Sequence, residues 1–285
     1  SYIARLVSKG YKVAICEQTE DPKAAKGIVK RDVIRVISAG TVIESSMLDE
    51  TKNNYLAVLC QVFDSMGICF ADVSTGSVYL TSFSENCDEK AVDEMARFMP
   101  TEILLSKEAA ALKRLSAFIS KKTEATVEVL SPDCFNFEKA EKTVLSHFNK
   151  PSLEALGLDG KQSAVCALGA ALSYLYEAQK TDLNNIKEIN YYSDARYMKI
   201  GISTRRNLEI TETMRDREKK GSLLWVLDKT KTAMGKRLIR SWLECPLYDC
   251  AAISKRHNAV AELCESTKKR NDFVSLMVDI YDMER

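Results

Sequence analysis

Histidine is nearly absent, with two in 285 residues, His147 and His257. The nine cysteines form no CxxC pair, and the nearest two, Cys245 and Cys250 in "CPLYDC", have four residues between them. A tetrahedral zinc site needs clustered Cys or His. No metal-ligating cluster is therefore expected, and the odd cysteine count predicts reduced, mostly buried thiols in a cytoplasmic protein. A basic excess is also missing, since 41 Lys and Arg face 40 Asp and Glu, for a net charge of +1. A chain that grips duplex DNA over a broad surface shows a strong positive balance, so a free-standing DNA-binding module is disfavoured. No apolar run reaches the roughly 18 residues of a membrane span, and no secretory signal opens the chain. The first residue is serine, and "SYIARLVSKG" and "SLMVDIYDMER" both read as helix in progress. That pattern predicts a piece of a longer protein.

What is present is ordinary for globular structure: 46% hydrophobic and 28% charged residues, over a length that suits about two domains. The opening helix, with Ile3, Leu6 and Val7 on one face, ends at Gly10. "YKVAIC" reads as a strand, "EQTEDPKAAKG" as a loop with a turn at Asp21–Pro22, and "VKRDVIRVIS" as a second, alternating strand. A three-strand meander follows in "NYLAVLCQVF", "GICFADVS" and "SVYLTSF", separated by the turns "DSMG" and "STGS". Next come the helix "EKAVDEMARFM", closed by Pro100, the strand "TEILLS", a single helix over 107–120, and the strand "ATVEVL". The helices "FEKAEKTVLSHF" and "KQSAVCALGAALSYLYEAQK" end this part, the second rich in small residues that permit close packing. Antiparallel strands followed by α/β alternation predict an α/β domain with a mixed sheet. Beyond 182 the chain is strand-poor: one short strand in "YMKIGIS", then helices over 222–230, 233–243, 249–266 and 269–285.

Three features invite a chemical reading. Asp72 in "FADVSTGSVYL" stands where a carboxylate of a two-metal nuclease would, but no acidic residue sits on the neighbouring strands to share an ion, and Asp64 and Glu85 fall at strand ends. The competing reading is that Asp72 and Ser74 cap a hairpin turn. "TAMGKRLIRSW" contains Gly–Lys, yet lacks the earlier glycine and following Ser or Thr of GxxxxGK[ST]. It reads as an amphipathic helix with Leu238, Ile239 and Trp242 inward and Lys236, Arg237 and Arg240 on a solvated face, the alternative being electrostatic contact of that basic face with a phosphate backbone. His147 reads as a helix-end cap or packed edge rather than a base. The run "STRRNLEITET" pairs Arg205 with Arg206, and adjacent side chains diverge. One arginine is expected to be buried against a carboxylate or carbonyl, with Thr204 and Asn207 as caps and Leu208 and Ile210 in the core. No catalytic, cofactor or metal residue is assigned.

"YIARLVSKGYKVAICEQTEDP", "KGIVKRDVIRVISAGT", "ADVSTG", "STRRNLEIT" and "SLLWVLDKTKTAMGKRLIRSWLECPL" together resemble the MutS family of DNA mismatch-repair proteins, in the family's order. One departure is "SAGT" at 38–41, where the family usually has proline before the glycine. The resemblance implies three parts. Residues 1–41 look like the end of the mismatch-recognition domain, 42–181 like an RNase H-like connector without nuclease function, and 182–285 like the first part of the helical core or lever. It favours the mismatch-repair branch over the recombination-suppressing one. It also implies partners for the longer protein: mispaired double-stranded DNA, MutL, a second copy in a homodimer, and ATP with Mg. The DNA-dependent ATPase itself is expected outside this chain. On the connector, the polar face of "FEKAEKTVLSHF" at Glu141, Lys142 and Thr143 is the expected part of the partner surface. Thr204, Arg205, Arg206 and Asn207 form the junction into the helical core.

Overall fold

The structure is a computed structural model and describes residues 2–20, 29–193, 197–198 and 200–285. The expected turn at Asp21–Pro22 lies outside the described residues. The chain divides into two compact units, one of residues 1–48 and 54–191, the other of residues 49–53 and 192–285.

The first unit opens with helix α1 (Tyr2–Val7). Gly10 ends it at φ +82°, with its N–H on the Val7 carbonyl and the Tyr11 N–H on the Leu6 carbonyl. That paired closure needs the left-handed conformation glycine adopts freely, as expected for this residue. Strands β1 (Val13–Gln18) and β2 (Arg31–Ile37) form an antiparallel ribbon with an irregularity at Ile15–Cys16.

The larger sheet has six strands: β3 (Leu56–Val62), β4 (Ser65–Asp72), β5 (Ser77–Phe83), β6 (Glu102–Leu105), β7 (Thr126–Val129) and β8 (Asn190–Tyr191). Their order is β7-β6-β3-β4-β5-β8. The meander β3–β4–β5 is antiparallel, while β6, β7 and β8 join in parallel. The mixed α/β fold is thus observed. Strand β8 has no counterpart in the sequence reading, because two residues are too few to show a period.

Both faces of this sheet are covered, so its central strands carry continuous rather than alternating apolar runs. On one face Leu56, Val58, Cys60, Cys69 and Leu80 pack under helices α5 (Phe137–Phe148) and α6 (Gln162–Gln179). On the other, Leu59, Ile68, Phe70 and Ile103 pack under α2 (Cys87–Phe98), α3 (Lys107–Ala110) and α4 (Lys113–Lys122). Two glycines set the spacing of α6. A Cβ on Gly67 would stand 2.1 Å from the Ser163 carbonyl oxygen, and one on Gly169 would stand 2.4 Å from Ala140 Cβ. Strand β4, α6 and α5 therefore meet backbone to backbone.

The single helix expected over 107–120 is two. Ser106 caps the first through a 3.2 Å bond from the Ala109 N–H. Asp88 of α2 accepts from the Arg114 and Leu115 amides at 3.0 and 2.8 Å and starts the second. A carboxylate from another helix satisfies the N-terminal amides there, a tertiary signal that local periodicity does not carry.

The second unit holds α7 (Ile202–Asn207), α8 (Leu223–Leu227), α9 (Ala233–Glu244), α10 (Cys250–Glu265) and α11 (Thr267–Met277). Thr232 and Asp249 cap α9 and α10 with their side chains. Of the strand expected over 197–203, the described residues 197–198 and 200–203 form none. Tyr197 makes one isolated bridge to Leu247, and the chain turns helical at Ile202. Among the described residues no helix is long and apolar enough to cross a membrane.

Candidate interaction surface and its comparisons

Asp72 is fully buried at the end of β4. Its Oδ1 accepts from the Ser74 N–H at 3.0 Å and the Ser74 hydroxyl at 2.6 Å, and Oδ2 accepts from the Asn54 N–H at 3.0 Å. Gly76 closes the turn at φ +72°. A carboxylate with both oxygens engaged by structural donors is a turn cap. Among the described residues no group of three or more His, Cys, Asp or Glu gathers as a metal site would require. Among the described residues nothing supports the nuclease alternative.

His147 is equally structural. Its Nε2 lies 2.9 Å from the Ile186 carbonyl and its Nδ1 2.7 Å from the Tyr176 hydroxyl. A carbonyl only accepts, so Nε2 carries the proton and Nδ1 accepts from the tyrosine. The ring ties the end of α5 to α6 and to the segment ahead of β8.

The face singled out on α5 is placed by that tie and by the Gly169–Ala140 approach. Asn136 caps α5 by accepting from the Lys139 N–H at 3.0 Å, and Asn149 ends it at φ +49°. Ala140 and Val144 are buried against the core. Lys142 is exposed, and Glu141 and Thr143 are half-buried. Glu138, Glu141, Lys142, Leu145, Ser146 and Lys150 line one shallow groove along the helix. It presents two carboxylates, two ammonium groups, a hydroxyl and one leucine, a mixed polar surface. Thr143 lies beside this groove rather than in its lining.

The "STRRNLEITET" run departs from its reading in two respects. Gly201 holds the N-cap position of α7, and Thr204 and Asn207 lie inside the helix. Ile210 is buried at 4%, but Leu208 is 61% exposed. The turn after α7 docks by backbone instead: the Leu223 and Leu224 amides donate to the Glu209 and Ile210 carbonyls at 3.0 and 2.8 Å. Glu209 stands at φ +47° there. The two arginines do part company. Arg206 is exposed. Half-buried Arg205 donates from Nη2 to the Glu244 carbonyl at 3.1 Å, at the end of α9, where a cation suits the helix dipole.

Arg237 reverses its expected place. It is 3% exposed, not part of a solvated face, while Leu238 of the supposed inner stripe is 53% exposed. Its guanidinium grips Asp282 through two 2.7 Å bonds and Glu284 at 2.5 Å, with a 3.4 Å bond to the Glu50 carbonyl. Arg285 adds bonds to the Asp49 and Lys52 carbonyls at 2.9 and 2.7 Å. Burial works against the Arg237 charge, but the two carboxylates more than offset it and its pKa rises. The Asp282 carboxyl, bonded to Arg237, is held below its usual range. The acidic partners lie 45 and 47 residues away, beyond any helical periodicity. Glu102, in the strand "TEILLS", is a second buried charge that the strand pattern alone does not single out. It is an acid opening the buried run Glu102–Leu105, and is 1% exposed. An acidic residue at the head of an otherwise apolar strand was the available signal.

Three family profiles match the chain in sequence: MutS domain I over residues 1–46, MutS domain II over 54–187 and MutS domain III over 203–285. Among curated proteins, the DNA mismatch repair protein MutS of Lachnoclostridium phytofermentans is 44% identical over 284 residues, covering 100% of this chain and 30% of that protein. The proteins of the same name from Ruminiclostridium cellulolyticum and Caldanaerobacter subterraneus are 45% and 43% identical, again over 100% of this chain and 32% of each of theirs. The chain spans about a third of the length of the curated relatives it matches. Order, coverage and identity agree, and the chain belongs to the MutS family.

Proposed function

We propose that this chain is the transmitting part of a mismatch-repair protein that binds mispaired duplex DNA and couples that binding to ATP. The observation that carries the reading is the consecutive match to MutS domains I, II and III over the whole chain. The near-neutral charge, +1, fits a connecting role better than a DNA-gripping one. The working divisions are residues 1–41 as the end of mismatch recognition, 42–181 as an RNase H-like connector and 182–285 as the first part of the core or lever. The strand order of the six-stranded sheet supports the connector assignment. ATP and Mg act in the longer protein, which works as a cytoplasmic homodimer, and no catalytic step is assigned to the residues described above.

The α5 face at Glu141, Lys142 and Thr143 is proposed as part of the surface offered to MutL. Its mixed charge beside a single leucine suits a protein contact that combines polar and apolar groups. Thr204, Arg205, Arg206 and Asn207 serve as the junction into the helical part, held through Arg205 and the Glu244 carbonyl. The test is Lys142→Glu in the full-length protein, with MutL affinity measured at matched thermal stability. Affinity is expected to fall about tenfold, the scale of an interface charge reversal. Unchanged affinity would remove α5 from the interface.

A further inference from the structure

The turn Ser38–Ala39–Gly40–Thr41 lies within the match to MutS domain I, whereas Glu102 and Tyr174 lie within the match to domain II. A turn between two such parts is where a hinge would be sought. This one is closed by buried polar bonds. The Glu102 carboxylate accepts from the Ser38 hydroxyl and from the Gly40 N–H at 2.9 Å on one oxygen, and from the Tyr174 hydroxyl at 2.6 Å on the other. The Asn54 amide donates to the Ala39 carbonyl at 2.9 Å, and the Gln179 amide to the Thr41 carbonyl at 2.7 Å. Ser38, Thr41, Glu102 and Gln179 are all buried. A Cβ on Gly40 would stand 2.9 Å from Glu102 Cβ, so the turn lies directly on β6.

A carboxylate removed from water is costly unless several donors meet it. Here three donors converge from the turn and from α6. Removing the carboxylate would leave the buried Gly40 N–H without its acceptor and release the half-buried Tyr174 hydroxyl, so the turn and α6 lose their shared anchor together. We infer that Glu102 is a positioning residue that makes the β1–β2 ribbon and the six-stranded sheet move as one body, with no hinge at 38–41. The consequence for signalling rests on the mismatch-repair reading above: a displacement of the ribbon is delivered to the sheet without loss.

The test uses the full-length protein with spin labels on native Cys16 and on Lys121→Cys, other exposed cysteines being replaced by serine. Wild type is expected to give one narrow distance distribution. Glu102→Ala is expected to broaden it and to speed exchange of the Gly40 amide about tenfold or more, while amides of β3 and β4 stay protected. Should Glu102→Ala fail to fold, Tyr174→Phe and Ser38→Ala, each removing one donor, are expected to broaden the distribution in part. A distribution as narrow as wild type in the folded variants would overturn the inference. In parallel, the effect of a mispair on ATP hydrolysis is expected to shrink in Glu102→Ala. A wild type indifferent to the mispair would count against the functional reading alone, since the label distances still judge the clasp.

Discussion

Ala39 occupies the second position of a turn in which the Thr41 N–H bonds back to the Ser38 carbonyl at 3.2 Å. Proline is favoured at that position, and the Ala39 N–H donates to no group among the described residues. Ala39→Pro should therefore stabilise the protein by about 0.4–1 kcal/mol through the unfolded chain, read as a higher urea midpoint at constant slope. Thiol chemistry is decided residue by residue as well. Cys60, Cys69 and Cys166 are buried, whereas Cys16, Cys134, Cys250 and Cys264 are exposed. Burial pushes the Cys69 thiol up to about 12, so little thiolate is available to react. A thiol reagent at neutral pH should modify the exposed four quickly and reach the buried three only on denaturation; prompt labelling of Cys69 would contradict its placement. Asp282 adds a pH dependence. Its folded pKa is depressed, so its contribution is complete above the unfolded carboxylate value and is lost as pH falls through the folded value. Acid unfolding that includes the second unit should thus lose a component near and below about pH 4 in Asp282→Asn, and that variant should be less stable than wild type at neutral pH.

Elements were legible in the sequence wherever period and punctuation agreed. The meander, α5 and α6 follow from β-branched strands and small-residue spacing, and Gly10 closes α1 as its position suggests, but the first hairpin turns at Phe63–Asp64, with Phe63 at φ +51°, and not across 64–67, whose last three residues belong to β4. What escaped had its cause elsewhere in the chain. Asp88 starts α4 from another helix, Asp282 and Glu284 draw Arg237 inside, and Gly201 rather than Thr204 begins α7. The α5 face could be nominated from its polar pattern, but the Gly169 approach and the His147 tie that position it required the fold. Both make element-scale predictions. Asp88→Ala should cost about 0.5–2 kcal/mol and weaken amide protection at Arg114 and Leu115 first. Gly169→Ala should cost about 1–3 kcal/mol by forcing α5 away from α6, and should weaken any partner that binds the α5 groove even though the groove's own residues are untouched.

At the scale of the whole molecule, the chain passes between its two units three times, at 48–49, 53–54 and 191–192. Residues 49–53 belong to the second unit and are held there by Arg237 and Arg285 on the backbone carbonyls of Asp49, Glu50 and Lys52. Within the first unit the Glu102 network fixes the ribbon to the sheet. Buried ionic contacts add little net stability but are costly to break from one side, which fits the proposed transmitting role. The measurement that bears most directly on this role is the rate of ATP hydrolysis by the full-length protein on a duplex with one mispair, set against the same duplex fully paired, in wild type and in Arg205→Ala. The wild-type rates should differ between the two duplexes, and the difference should shrink in Arg205→Ala. Equal wild-type rates on both duplexes, or a variant that responds to the mispair as fully as wild type, would contradict transmission through this chain.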